Sequence, residues 1–342
     1  MDNIYPMNPF LSEADVKPRL SSMCLARAVT LLCLAGMLHS ANATYPDKPI
    51  RWIIPGAAGG GADAIARVVG LAVSQRLGQP IIIDNRPGAT GVIANDAVAK
   101  ASPDGYTLGQ ATLSTFVVAN VVAKRLPYKP AQDFTPIAML CTSPNLLSVT
   151  PSLPVKSVAE LISYAKAHPK ELFYGSSGSG SALHVVTELF RASAGVDITH
   201  APYKSNPAAE MDLASGQIQL MIGNLISMEP NVKAGRLRAL AITGPKRSPL
   251  LPNVPTMAEA GMPAAEMVTW GGVLGPAKMP AAVVEKINAE FNAALNDPVV
   301  IKRLADLGCD AAPSSIASFV ELVRTDNEKW GAVVRKNNIT AD

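Results

Sequence analysis

Twice in this sequence a short apolar run ends in a loop of very small residues that opens at once into a helix. The first run is Lys48-Pro49-Ile50-Arg51-Trp52-Ile53-Ile54, the loop is Pro55 to Gly61, and the helix is predicted from Gly61 to Leu77. Ile65, Val68, Val69, Ala72, Val73 and Leu77 fall on one broad helical stripe. Gly78 is suited to end that helix in the left-handed conformation. The second run, Leu172-Phe173-Tyr174-Gly175, feeds Ser176 to Ser181 and a helix from Ala182 with Val185, Leu189 and Phe190 on one side. A chain built this way stacks strands and helices in α/β layers, with each loop at the carboxyl end of a strand.

The alternation continues along the chain. Pro80-Ile81-Ile82-Ile83 is continuously apolar, which predicts a strand covered on both faces. Gly91 to Lys100 reads as helix, and Tyr106 to Leu108 and Leu146 to Val149 as strands. Ser157-Val158-Ala159-Glu160 is a capping box opening a helix that stops at Pro169. Ile218 to Ile222, Leu237 to Ile242 and Val273-Leu274 are predicted strands. Met257 to Gly261 reads as a short capped helix. Pro280 is placed as the first residue of a helix ending near Leu295, and Ile316 to Val334 as the last helix. About 300 residues of this pattern favour two sheets over one continuously growing core.

The two loops are candidate anion sites. Pro55-Gly56-Ala57-Ala58-Gly59-Gly60-Gly61-Ala62-Asp63 leaves the backbone bare where the first helical N–H groups have no partner. Ser176-Ser177-Gly178-Ser179-Gly180-Ser181 repeats the device with added hydroxyls. Asp63 suits the helix dipole and either holds the loop or meets the ligand. His184 either contacts ligand or packs. A dinucleotide fold is a poorer match, because G-x-G-x-x-G fails at Ala64 although Asp84 closes the second strand. Gly-Lys-Ser/Thr is absent from the loop, and no register gives G-x-S-x-G. No histidine belongs to H-E-x-x-H or another metal grouping, so neither metal nor cofactor is expected. The alternative reading is an exported α/β hydrolase acting on a carboxylate or ester, with Ser177 or Ser179 and His184. The net charge of +3 is spread without a basic tract, which gives nucleic-acid binding little support.

Residues 1–43 have the layout of an export signal with an N-terminal extension. Lys17, Arg19 and Arg27 precede the apolar run Ala28 to Leu38, and Ala41-x-Ala43 suits cleavage near Ala43. Met23 is an alternative start. The compartment implied is the periplasm, which permits a disulfide. Cys24 and Cys33 fall in the signal. Sequence places no bond between Cys141 and Cys309, and two buried free thiols is the default expectation.

Taken in order, further stretches carry a family resemblance. They include Tyr45-Pro46-x-Lys48-Pro49-Ile50-Arg51, Gly59-Gly60-x-x-Asp63, Asn85-Arg86-Pro87-Gly88-Ala89, Pro103-Asp104-Gly105-Tyr106-Thr107-Leu108, Tyr174-Gly175-Ser176 through His184, and His200-x-Pro202-Tyr203-Lys204. Ala234-Gly235-x-Leu237-Arg238-Ala239-Leu240-Ala241 and Glu328-x-Trp330 follow. With these the chain from Thr44 to Ile339 resembles the substrate-binding proteins of tripartite tricarboxylate transporters, the TctC or Bug type. The resemblance implies a periplasmic-binding-protein-like (type II) Venus flytrap with two α/β lobes and strand crossovers. Lobe 1 would comprise 44–145 plus 268–342, and lobe 2 would comprise 146–267. It implies a monomer without turnover that captures a small carboxylate and passes it to membrane permease subunits. Carried over residue by residue, the ligand site would hold Gly59, Gly60, Asp63, Ser176, Ser177, Gly178, Ser179, Gly180, His184 and Tyr203. Lys204 is either a counter-charge or solvated.

The departures from the family pattern lie in the expected cleft. An aromatic and two prolines are replaced by Gly56, Ala57 and Ala58, Trp270 is followed by Gly271, Ser205 and Asn206 intervene after Lys204, and Gly223 stands where an acid is common. Lost side chains leave volume and remove stacking area. The expectation is a ligand bulkier or differently shaped than a short dicarboxylate; the opposite reading is a degenerate site filled by neighbouring side chains.

Overall fold

A computed structural model describes residues 45–88, 91–122, 125–337 and 339. The predicted signal at 1–43 lies outside them, and the fold is that of the compact unit Lys48–Asp342. In chain order its elements are β1 (Ile50–Ile54), α1 (Gly61–Leu77), β2 (Ile81–Asn85), α2 (Val92–Ala99) and β3 (Thr107–Thr112). A one-turn π-helix (Leu113–Val118) and α3 (Ala119–Val122) lead to β4 (Phe134–Val149). Then come α4 (Val158–Ala167), β5 (Phe173–Ser176), α5 (Ala182–Ala194), β6 (Thr199–Pro202), α6 (Asn206–Ser215), β7 (Leu220–Asn224), α7 (Leu225–Lys233) and β8 (Arg238–Ile242). The chain ends with β9 (Val268–Pro276), α8 (Ala281–Leu295), α9 (Pro298–Asp306), β10 (Asp310–Ala311) and α10 (Ile316–Lys336).

The strands run in the order β2-β1-β3-β9-β4-β7-β5-β6, with β8 and β10 also paired to β4. The crossover strand β4 serves both lobes. From Phe134 to Pro144 it pairs antiparallel with β9, and Cys141 and Thr142 also pair with β10. From Asn145 to Val149 its neighbours become β7, and from Leu146 also β8. Both flanks of one strand therefore change partner near Asn145. This gives the two-lobed periplasmic-binding-protein-like architecture. Parallel β1–β2, β1–β3 and β5–β6 pairs carry the strand–loop–helix units of the two lobes.

Several expectations need correction. The buried face of α1 is Asp63, Ala66, Val69, Gly70 and Val73, rotated from the predicted stripe. Its partner β2 is a sheet edge, where Ile82 is 53% exposed, so an apolar run did not mean cover on both faces. Met257–Gly261 is a single capped turn: the Thr256 hydroxyl accepts from Glu259 N–H, and the Glu259 carboxylate accepts from Thr256 N–H. Ser157 caps α4 as expected, but Glu160 accepts from Lys156 N–H. Pro280 is the cap before α8. Strand β4 begins twelve residues before the predicted Leu146, because Pro136, Pro144 and intervening polar residues hide its alternation. Helices α6, α7 and α9 were not anticipated.

The free-thiol expectation is overturned. Cys141 and Cys309, 168 residues apart in sequence, form a disulfide with Cα atoms 5.6 Å apart. Folding β10 against β4 brings them within bonding reach, which sequence spacing alone does not encode.

Candidate functional site

Helix α1 starts without a side-chain cap. Gly60 is its extended N-cap, and Gly59 before it has φ +78°, a conformation costly for residues with a Cβ. Asp63, 2% exposed, pins the loop from below: its Oδ2 accepts from Gly59 N–H at 2.9 Å and from Arg67 Nε at 2.9 Å. The Arg67 hydrogen bond outweighs burial, and with Gly59 and Asn85 lowers the Asp63 pKa from 3.8 to about 2. Asn85 donates to Gly56 O at 3.0 Å, and Gly60 N–H donates to Ala57 O. The Gly59 and Gly60 amides are thus spent inside the loop. The next amides, of Gly61 and Ala62, have no helical acceptor, and both residues line a cleft of 440 Å³.

The second loop is braced by a serine hydroxyl and stacked rings. The buried Ser176 hydroxyl lies 2.7 Å from His200 Nε2, donates to Gly178 O and accepts from Gly178 N–H. His184 Nδ1 accepts from Gly180 N–H at 3.0 Å, and His184 stacks on His200 with centroids 3.9 Å apart. Tyr174 stacks on His200 in turn, and its hydroxyl donates to Glu188 at 2.6 Å. Burial raises the Glu188 carboxyl, but hydrogen bonds from Arg191 and Tyr174 leave it net lowered. Burial and the Glu188 carboxylate both push the Tyr174 phenol up. Ser181 is the N-cap of α5, accepting from His184 N–H at 3.2 Å.

Across the cleft the lobes approach closely enough for Ser114 Oγ to accept from Ala182 N–H at 3.3 Å. Ser177, Ala182 and Leu183 face Gly61 and Ala62 over the same 440 Å³ space. Of the ten predicted site residues, Ser177 lines this cleft directly. Gly59, Gly60 and Asp63 shape the first wall from behind. Ser176, Gly178, Gly180 and His184 shape the second, with Ser179 in the same loop. Tyr203 is behind that wall: its N–H donates to Ser176 O, and its hydroxyl donates to Asp212 at 2.7 Å. Burial, reinforced by Asp212, pushes the Tyr203 phenol up to about 12. Lys204 is exposed and outside the cleft.

The cleft also recruits residues outside the ten predicted for the site. Gln110 and Asn145 are 2% and 1% exposed, and Gln110 Oε1 and Asn145 Nδ2 have no hydrogen-bond partner. Asn206 Oδ1 is likewise unpaired. All three side chains line the cleft. Buried amides in this state provide donors and acceptors for a polar occupant. Trp270, Leu113, Leu183, Ile226 and the Cys141–Cys309 pair add an apolar surface. No Asp, Glu, Lys, Arg or His lines this space among the described residues. Such a site can hold an anion only through dipoles, with helix-start amides the strongest of them. Gln110 and Asn145 carry no sequence signature, and Asn206 is marked only as a departure from the family pattern after Lys204; the meeting of β3, β4 and α6 makes them neighbours.

Comparison with known proteins gives concordant matches. A family model described as "Tripartite tricarboxylate transporter family receptor" matches residues 65–339. Protein BugT of Bordetella pertussis is 35% identical over 310 residues, covering 89% of this chain and 94% of that protein. The structure described as R. palustris Rpa4515 with adipate is 39% identical with a TM-score of 0.79, covering 87% of this chain and 100% of that one. MatC (Rpa3494) from Rhodopseudomonas palustris with bound malate is 33% identical with a TM-score of 0.75, covering 85% and 100% respectively.

Proposed function

We propose a function from one premise: the chain belongs to the tripartite tricarboxylate transporter receptor family. It is an extracytoplasmic solute-binding protein that takes a small carboxylate between its lobes and hands it to a tripartite tricarboxylate-type transporter. Its family and fold are those of binding proteins without turnover, and in this reading the chain is not an enzyme. The periplasm is its compartment, reached by an export signal cleaved near Ala43, and it works as a monomer. The lobes divide as 44–145 plus 268–342 against 146–267, a boundary supported by the exchange of β4 partners near Asn145.

One observation carries this reading. Unspent amides at the start of α1 face the Ser177 loop and the start of α5 across a space without charged side chains. The ligand carboxylate docks on Gly61 and Ala62 amides, and closure brings Ser177 and Asn145 onto its other polar groups and Leu183 onto its carbon chain. Gly59, Gly60, Asp63, Ser176, Gly178, Ser179, Gly180, His184 and Tyr203 act by holding the two loops in shape. Hydrogen bonds to a charged acceptor contribute about 1.5–3 kcal/mol each, so a few support micromolar binding after closure costs. Closure follows because the closed form binds the acid more tightly than the open one.

Of the two relatives, the one that holds adipate is 39% identical and the one that holds malate 33%, and the 440 Å³ cleft has room for the longer acid. Gly56, Ala57, Ala58 and Gly223 do not line it, and a side chain at Gly223 would meet Met228 instead of a ligand. The favoured ligand is therefore a longer or bulkier acid than a C4 diacid. Calorimetric titration with adipate, benzoate and malate tests this. Tighter binding of adipate or benzoate than of malate is expected; tight binding of malate alone contradicts the size argument, and heat from none of the three rejects the ligand class. Ester or amide turnover in a substrate panel would promote the hydrolase reading instead.

A further inference from the structure

Cys141 and Cys309 are 0% and 3% exposed, and both line the ligand cleft. Cys309 follows α9 in the segment Leu307-Gly308-Cys309, whose Leu307 lines the same cleft. Apart from the disulfide, the attachment to the sheet begins only at Asp310 and continues past β10, where Ala312 N–H donates to Leu140 O and Met139 N–H donates to Ser314 Oγ. Strand β10 is two residues long, pairing Asp310 with Thr142 and Ala311 with Cys141. Gly308 N–H and Cys309 N–H donate back into the end of α9, to Ala305 O and Leu304 O.

The segment also reaches the opposite wall. Gly308 has φ +70°, and a Cβ placed there would lie 2.3 Å from Ile226 Cβ. Ile226 stands in the first turn of α7, which follows β7, and its side chain lines the cleft. The bond therefore fixes a stretch attached to the β10–β4 edge where it abuts a helix of the other lobe.

We propose that the Cys141–Cys309 disulfide is a specificity-determining part of the ligand wall: it holds Leu307–Cys309 against Ile226 and so sets the length of acid that the closed cleft grips. Without the bond, the ladder to β4 holds the chain only from Asp310 onward, so Leu307–Cys309 ahead of it can retreat. A short diacid then loses contacts, while a longer one still reaches across. The inference rests on the carboxylate-binding reading for its ligand and on the Gly308–Ile226 packing for its geometry.

The test compares the oxidised protein with a Cys141→Ser, Cys309→Ser variant. Adipate and malate dissociation constants are measured well below the melting temperature. Amide hydrogen exchange is followed at Leu307–Asp310, at Leu225–Met228 across the cleft, and at Val158–Ala167 as a control. Expected are an at least threefold rise in the malate-to-adipate ratio of dissociation constants and faster exchange at both cleft segments, with the control helix unchanged. An unchanged ratio, or faster exchange confined to Leu307–Asp310 or extending equally to the control, overturns the proposal and leaves the bond a staple. If the oxidised protein binds neither acid, the carboxylate reading fails separately, and exchange at Leu225–Met228 alone decides the wall contact. Should the serine pair not fold, Cys141→Ala with Cys309→Val, which keeps the site apolar, replaces it under the same readouts.

Discussion

The loops at Pro55–Gly61 and Ser176–Ser181 look alike in sequence but are held by opposite means. The first hangs on one buried carboxylate: Asp63 grips Gly59, and Arg67 balances the charge. The second rests on a column of Ser176, His200, His184 and Tyr174, with the Glu188–Arg191 ion pair one layer further down. The consequences differ at the cleft. One carboxylate placed behind the loop leaves the Gly61 and Ala62 amides unspent. The second loop uses the Gly178 and Gly180 amides for its own shape and sends Ala182 N–H to Ser114. In the proposed function the first wall is therefore the fixed anion dock and the second the part that closes.

The sharpest way to break this contrast is to remove Asp63. Asp63→Ala should destabilise the protein by about 2–3 kcal/mol, at the upper end for a hydrogen bond to a charged group because two bonds go. The half-exposed Arg67 contributes little of this. Ligand affinity should fall at least tenfold; denaturant melts and calorimetry check both. The pH dependence has a definite sign. Because folding lowers the Asp63 pKa from 3.8 to about 2, its contribution is full above pH 4 and fades as pH falls toward 2. Asp63→Asn should remove that part of the acid transition.

Next in size is the second loop's backbone. Gly178 has φ +113° with Tyr203 O 3.5 Å from a Cβ position. Gly178→Val should cost about 1–2 kcal/mol of stability and cut affinity severalfold without unfolding the protein. An unchanged dissociation constant would separate this loop from the ligand. A smaller effect is expected from Ser181→Ala, which removes the α5 cap at about 1 kcal/mol and should slow closure more than it weakens the first dock; stopped-flow binding rates distinguish the two. Smallest is Tyr203→Phe. Losing the bond to Asp212 should cost about 1 kcal/mol and leave affinity within twofold. A larger loss of binding would make Tyr203 a ligand contact after all.

Much of this was legible residue by residue. Both small-residue loops, the helices they open, the Gly78 and Ser157 caps and the family membership follow from local pattern. Within the loops, sequence points to ligand contact at Gly59, Gly60 and His184, while the structure shows the Gly59 and Gly60 amides and His184 Nδ1 bonded inside their own loops. A motif shows which residues a loop needs, but not which of its amides are consumed internally. The same limit hid β4, whose prolines mask a strand stabilised from both sides.

The sequence by itself determined the strand–loop–helix units, because backbone freedom at glycine, helix capping and apolar periodicity act over a few residues. Only the tertiary structure decided that Cys141 meets Cys309, that β4 changes both neighbours near Asn145, and that Gln110, Asn145 and Asn206 share one cleft. These are contacts between residues far apart along the chain. Their partners are chosen by which surfaces pack once the sheets assemble, and no short stretch of sequence contains that choice.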